Sequence, residues 1–169
     1  MKLYFRQKIF SWLDNYDVYD ESGDIYFKVK GKIAWGHKLA IYDASGAEVG
    51  VVKEKIVDIM PHFDFYMGRT KVGTLKKKLT LLRPKFSIDF AGRRWEIDGN
   101  WWEWDYLIKE GREKVAAIYK RVFHLTDNYV IEVRDPEDAL GALMVVIAID
   151  AEKCSEEKKA DKKAAKKEK

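Results

Sequence analysis

Several common signatures are missing from this chain, and each absence narrows the reading. A single cysteine, Cys154, in 169 residues excludes an intramolecular disulfide framework and any multi-cysteine metal site. It fits a reducing compartment. The opening MKLYFRQKIF has no apolar core of signal-peptide length, so export is not expected. There are only three prolines: Pro61 and Pro84 near strand starts and Pro136 at a helix start, so none interrupts a strand interior. His37, His62 and His124 are far apart and in no metal-ligand spacing. No serine sits in a G-x-S-x-G elbow, and no glycine-rich phosphate loop or dinucleotide fingerprint occurs. The acids around Asp127–Asp138 lack the alternating ligand positions and central glycine of a calcium loop. These absences lead to the expectation of a non-enzymatic protein with no cofactor and no metal.

The charge is also smaller than it first looks. The formal net charge is +4, but residues 152–169 hold eight lysines and five acids, which leaves about +1 on the rest. A nearly neutral body argues against a duplex-DNA binder, which needs a concentrated basic surface.

What is abundant is alternation. Leu3, Phe5 and Ile9 share one parity; Ile25, Phe27 and Val29 alternate with Tyr26, Lys28 and Lys30. This is the period of half-buried strands. Turn signals recur: YDESG at 19–23, YDASG at 42–46, Gly68-Arg69-Thr70, Ala91-Gly92, Gly99-Asn100 and Glu110-Gly111-Arg112. About a dozen short strands follow, the pattern of an antiparallel sandwich or barrel.

One stretch has the opposite character. DPEDALGALMVVIAID, residues 135–150, reads as a helix over about 136–150, with Asp135 as its cap, Pro136 in its first turn, and Glu137 and Asp138 at the positive end of its dipole. From Ala139 to Ile149 every residue is apolar or glycine. A helix apolar on all sides must be enclosed, and this one falls short of the ~20 apolar residues a membrane span needs. The expected fold is therefore mainly β: a closed antiparallel barrel of about twelve strands around a buried hydrophobic C-terminal helix. Residues 1–151 form the domain, and 152–169 are expected to be a lysine-rich disordered tail.

The opening MKLYFRQKIFSW, the two YDxSG turns, the tryptophan-rich WEIDGNWWEWDY at 95–106 and the closing DPEDALGALMVVIAIDA together resemble the LURP-one-related family. That family belongs to the tubby C-terminal-like superfamily, with the phospholipid scramblases. The resemblance covers about residues 1–151 and implies a twelve-stranded β-barrel around a hydrophobic C-terminal helix. It implies little about activity: tubby domains bind phosphoinositide headgroups and scramblases act on membranes.

The segment from Arg69 to Lys85 is the candidate binding surface. It holds Arg69, Lys71, Lys76, Lys77, Lys78, Arg83 and Lys85, with no acid among them. Such residues on neighbouring strands can gather phosphates or anionic headgroups, while the bland alternative is a solvated strand face with snorkelling lysines. Lys77 has the parity of Leu75, which would aim it inward unless a β-bulge re-aims it. Arg93, Arg94, Lys109, Arg112 and Lys114 lie among acids and read as structural pairs. In the tryptophan cluster, parity puts Trp102 and Trp104 in the core and Trp101 outside.

The functional expectation is a binding module for anionic phosphate headgroups, cytoplasmic and peripheral at a membrane surface. No transmembrane span or specific nucleic acid is expected. The alternatives are a protein-interaction scaffold in a stress or defence response, and lipid scrambling or transport.

Overall fold

The turns expected from the sequence form as their chemistry dictates. A computed structural model of the chain describes residues 1–6, 15–32, 36–56, 62–78, 85–123 and 126–167. In the first turn the Asp20 carboxylate accepts from the backbone N–H groups of Ser22 (2.8 Å) and Asp24 (3.1 Å). In the second, Asp43 accepts from the Ser45 hydroxyl (2.6 Å) and the Ala47 N–H (3.0 Å). Gly23 and Gly46 both take φ +88°, which only glycine adopts readily, so the repeated wording encodes a repeated turn.

The strands are β1 (Lys2–Arg6), β2 (Asn15–Tyr19), β3 (Ile25–Lys32), β4 (Lys38–Asp43), β5 (Glu48–Lys55), β6 (His62–Met67), β7 (Thr70–Lys78), β8 (Lys85–Phe90), β9 (Arg93–Asn100), β10 (Asp105–Glu110), β11 (Glu113–Phe123) and β12 (Thr126–Val133). Each pairs antiparallel with its sequence neighbour, and β1 pairs with β12 to close the barrel. Closure removes the unpaired edges that an open sheet would present.

Through the barrel runs α1, Ala139–Lys167. Every residue from Gly141 to Glu152 is buried, over roughly 18 Å of helix. Its small residues admit large strand side chains. A Cβ on Gly141 would lie 2.6–2.9 Å from the rings of Phe90 and Trp95. On the wall, Gly50 of β5 leaves room for the Met144 methyl group, which would otherwise meet a Cβ at 2.2 Å.

Three expectations are corrected. Asp135 makes no side-chain cap; Pro136–Asp138 is instead a 3-10 turn in which the Asp138 N–H donates to the Asp135 carbonyl (2.9 Å). Asp138 is buried and accepts from Arg93, whose guanidinium also binds Glu110 at 2.6 Å and ties the helix start to β9 and β10. The structural reading of the mixed basic set also holds for Lys109, which binds Asp98 at 3.0 Å, and for Lys114, which binds Glu132 at 3.1 Å.

Second, the helix does not end near Asp150, and 152–167 are helical rather than disordered. Alanine, lysine and glutamate are strong helix formers, and a helix already nucleated in the barrel extends at one hydrogen bond per residue.

Third, Trp101 is buried (8% exposed) and Trp102 is exposed (43%), the reverse of the parity reading. Residues 101–104 are a turn, not the start of a strand, and Trp104 takes φ +59°. That left-handed residue re-aims the chain, so Trp104 packs on Tyr129 (4.7 Å between centroids) while Trp101 packs edge-on against Phe86 (5.1 Å).

Candidate functional site

The barrel has two distinct ends. The entry end, where α1 begins, carries the short polar turns. The exit end, where α1 leaves, receives the end of β7, the start of β8 and the turn 101–104.

The basic residues singled out in the sequence divide along this axis. Arg69 lies in the β6–β7 turn at the entry end and is exposed. It is roughly 30 Å along the strand from Lys78, so it joins no common site with it. Lys71 is occupied: its ammonium binds the Asp64 carboxylate at 2.6 Å, which also accepts from the Thr74 hydroxyl at 3.2 Å. Burial works against the Asp64 charge, yet Lys71 and Thr74 hold its carboxyl below the usual range. Arg83 lies outside the described residues.

Lys77 points inward, as its parity required, with no bulge: β7 and β8 stay in register through Lys76↔Ser87, Lys77↔Phe86 and Lys78↔Lys85. What it meets inside is the helix. Its ammonium binds Glu152 at 2.8 Å and Glu156 at 3.2 Å. Burial opposes the Lys77 charge, but the two carboxylates outweigh it and raise its pKa. Lys77 is thus a clasp between wall and helix, not an anion ligand.

That leaves Lys76, Lys78 and Lys85, all exposed. Lys78 and Lys85 stand directly opposite each other across β7 and β8. Among the described residues neither has a carboxylate partner. Beside them the wall opens. The β8–β9 ladder runs only from Phe90↔Arg93 to Ser87↔Glu96, whereas β9 continues alongside β10 to Asn100. The splayed strands leave a groove of about 650 Å³ whose lining includes Lys78, Lys85, Phe86, Ile97, Asn100 and Trp101. Glu96 and Asp98 also line it, and Asp98 is bound by Lys109. The groove therefore offers, at its exit-end rim, two ammonium groups that have no ion-pair partner among the described residues and an amide, with Phe86, Ile97 and Trp101 beside them and Glu96 further along.

Sequence reasoning missed the groove, because it depends on where the β8–β9 pairing stops. It also missed Glu152 and Glu156, although their i, i+4 spacing was a signal for one shared partner.

A further group at the exit end is buried. Asp150 is 4% exposed, and its Oδ1 has no hydrogen-bond partner among the described residues. Burial pushes its carboxyl well up, Lys153 opposes this, and Glu157 adds to it. Burial and the nearby Asp150 likewise push up the Tyr16 and Tyr106 hydroxyls. A buried acid of raised pKa binds a proton in the folded state that the unfolded chain has already released. Stability is then lost as pH rises from about 4, the unfolded value, through the folded pKa. Asp150→Asn should therefore raise the midpoint of thermal unfolding at pH 7, with the gain vanishing below about pH 4; scans at both pH values check this. Cys154 is held up to about 11 by burial, Asp150 and Glu157, so it is not a reactive thiolate at neutral pH.

Among the described residues no helix is long and apolar enough to cross a membrane, and no three metal-ligating side chains gather. Known proteins are similar to this chain, one in sequence and one in fold. YxjI, an uncharacterized protein of Bacillus subtilis (strain 168), is 28% identical over 151 residues, covering 89% of this chain and 92% of that one. An X-ray structure of an Arabidopsis thaliana protein has the same fold, with a TM-score of 0.58 at 17% identity over 86% of this chain and 88% of its own. The family model for LURP-one-related proteins matches residues 1–150, and the chain belongs to the LURP-one-related family.

Proposed function

We propose that this chain is a non-enzymatic binding module whose ligand presents an anionic phosphate group, the headgroup of a phosphoinositide or other anionic lipid at a membrane surface. The observation that carries this reading is the Lys78–Lys85 pair. Like charges directly opposite on neighbouring strands destabilise a sheet. Here they stand at the rim of a groove, and among the described residues neither is ion-paired with a carboxylate, so a phosphate would relieve the repulsion while accepting charge-assisted hydrogen bonds from both.

The test uses Lys78→Glu together with Lys85→Glu and leaves the structural Lys77 untouched. With about 1 kcal/mol per lysine near an anionic surface, the double variant should lose at least tenfold in affinity for soluble inositol trisphosphate and for phosphatidylserine vesicles. Arg69→Glu, in the exposed turn at the entry end, should change neither by more than about twofold. Retention of wild-type binding by the double variant would reject the site. Loss of vesicle binding alone would assign the ligand to lipid rather than to free phosphate.

A further inference from the structure

Beyond Glu152, α1 leaves the barrel, and its charge divides along its length. Residues 150–157 hold four acids and one lysine, whereas 158–169 hold seven lysines and two acids. The acidic part meets the wall. Lys77 takes Glu152 and Glu156, and Lys153 donates to the Trp102 carbonyl at 2.6 Å while lying over the rings of Trp102 and Trp104. The basic part projects, with Lys159 and Lys163 exposed.

The register between the two parts is fixed. Glu152, Glu156, Lys159 and Lys163 follow one another at i+4, i+3 and i+4, so they share one face of the helix. Lys77 binds the first two, which turns that face toward the end of β7. A second observation agrees. Burial works to raise the Glu54 carboxyl, but His37 and, more weakly, Lys159 hold it below its usual range, which sets Lys159 near the end of β5. Lys159 also reaches back to Glu156 at 3.2 Å while staying 57% exposed. The lysine face of the projecting helix thus rises from the β5–β7 side of the barrel, next to Lys76 and Lys78 of β7 and one strand from Lys85.

We propose that α1 beyond Glu157 is a basic arm, held in register by Lys77 on Glu152 and Glu156, whose lysine face continues the Lys76–Lys78–Lys85 surface and lies with it against an anionic lipid bilayer. This rests on the phosphate reading above and extends it from one headgroup to a surface. Three features favour a bilayer. Every cation of the arm is lysine, a point charge suited to a diffuse headgroup layer rather than to bidentate recognition. The helix beyond Glu157, residues 158–167, adds roughly 15 Å of length, with Lys159 and Lys163 exposed along it. At its root stands the exposed Trp102, the residue type that favours the membrane–water interface.

Register is what separates a built surface from a merely charged tail, so the test is one of phase. Two alanines inserted between Glu157 and Lys158 turn the arm by about 200°, and four turn it by about 40°, with no change of charge. In sedimentation with phosphatidylserine-containing vesicles at low salt, the two-alanine variant should bind about tenfold more weakly than wild type. The four-alanine variant should stay within about twofold, and deletion of 158–169 should match or exceed the two-alanine loss. Circular dichroism confirms that the arm stays helical in each. Equal vesicle binding by both insertion variants would overturn the proposal, as would tighter binding to a DNA duplex than to the vesicles. Soluble inositol trisphosphate separates the two readings. Its binding should ignore every arm variant and fail only with Lys78→Glu and Lys85→Glu. Phase-dependent vesicle binding without inositol trisphosphate binding would remove the lysine-pair site and leave the arm standing.

Discussion

Replacing Lys77 by methionine should destabilise the protein by about 3–5 kcal/mol, although the new side chain is apolar and of similar length. Glu152 is 1% exposed and Lys77 is its ion-pair partner. Removing the ammonium leaves the Glu152 carboxylate buried between the helix and the barrel wall, and the desolvation penalty of that charge then stands uncompensated. Glu156, 36% exposed, can turn to water and adds little to the loss. The double variant Lys77→Met with Glu152→Met should recover most of the stability, because a buried pair exchanged for apolar groups of like volume is close to neutral. The single and double variants in urea unfolding make a thermodynamic cycle. A coupling below about 1 kcal/mol would show the pair to be an exposed one in solution. The raised pKa of Lys77 fixes the pH dependence of its contribution. It is fully present below about 10.4 and is lost only as pH climbs through the folded value.

The second large effect reverses a general rule. Alanine in place of a mid-helix glycine normally stabilises by about 1 kcal/mol. Gly141→Ala should instead destabilise by about 1–3 kcal/mol. The added methyl would meet Phe90 at 2.6 and 2.8 Å and Trp95 at 2.9 Å. These are ring atoms of two aromatics packed on each other, 5.0 Å between centroids, with Trp95 further held under Arg93. Neither ring can swing away without displacing the other. Gly141→Leu adds three more carbons at the same point and should prevent closure around the helix. Calorimetric melting of the two variants, with an exposed glycine such as Gly46 left intact, gives the comparison. A melting point for Gly141→Ala at or above wild type would mean that the helix sits further from β8 and β9 than described.

Much of this architecture is legible in the sequence because it rests on local periodicity. Leu3 and Phe5 are buried and Tyr4 is not, as a strand period of two requires, and the paired YDxSG turns encode their own hydrogen bonds. The apolar stretch to Ile149, with no polar face, has no stable place except inside something. The errors arise where a local rule yields to a longer-range contact. Parity fails at Trp101 and Trp102 because Trp104 leaves the extended conformation, at a strain repaid by burying its indole among Phe5 and Tyr129. The helix extends past Asp150 because the barrel supplies the nucleus that EKCSEEKKADKKAAKK lacks. The row Arg69–Lys85 looks like one basic cluster in the sequence. A nine-residue strand spreads it from one end of the barrel to the other, gives Lys71 to Asp64 and turns Lys77 inward. Only the register of β7 with β8, and the point where β8 parts from β9, select Lys78 and Lys85.

All of this depends on the apolar helix being core and the outer exit-end surface being where ligands meet the protein. Hydrogen–deuterium exchange along α1, with and without phosphatidylserine vesicles, tests that most directly. The amides of Ala142–Ala151 should exchange only by global unfolding, as slowly as the central strands, and vesicles should leave them unchanged while slowing exchange in residues 158–167. Rapid exchange of Ala142–Ala151 in the free protein, or its onset when vesicles are added, would show that the helix leaves the barrel for the membrane and would contradict the account.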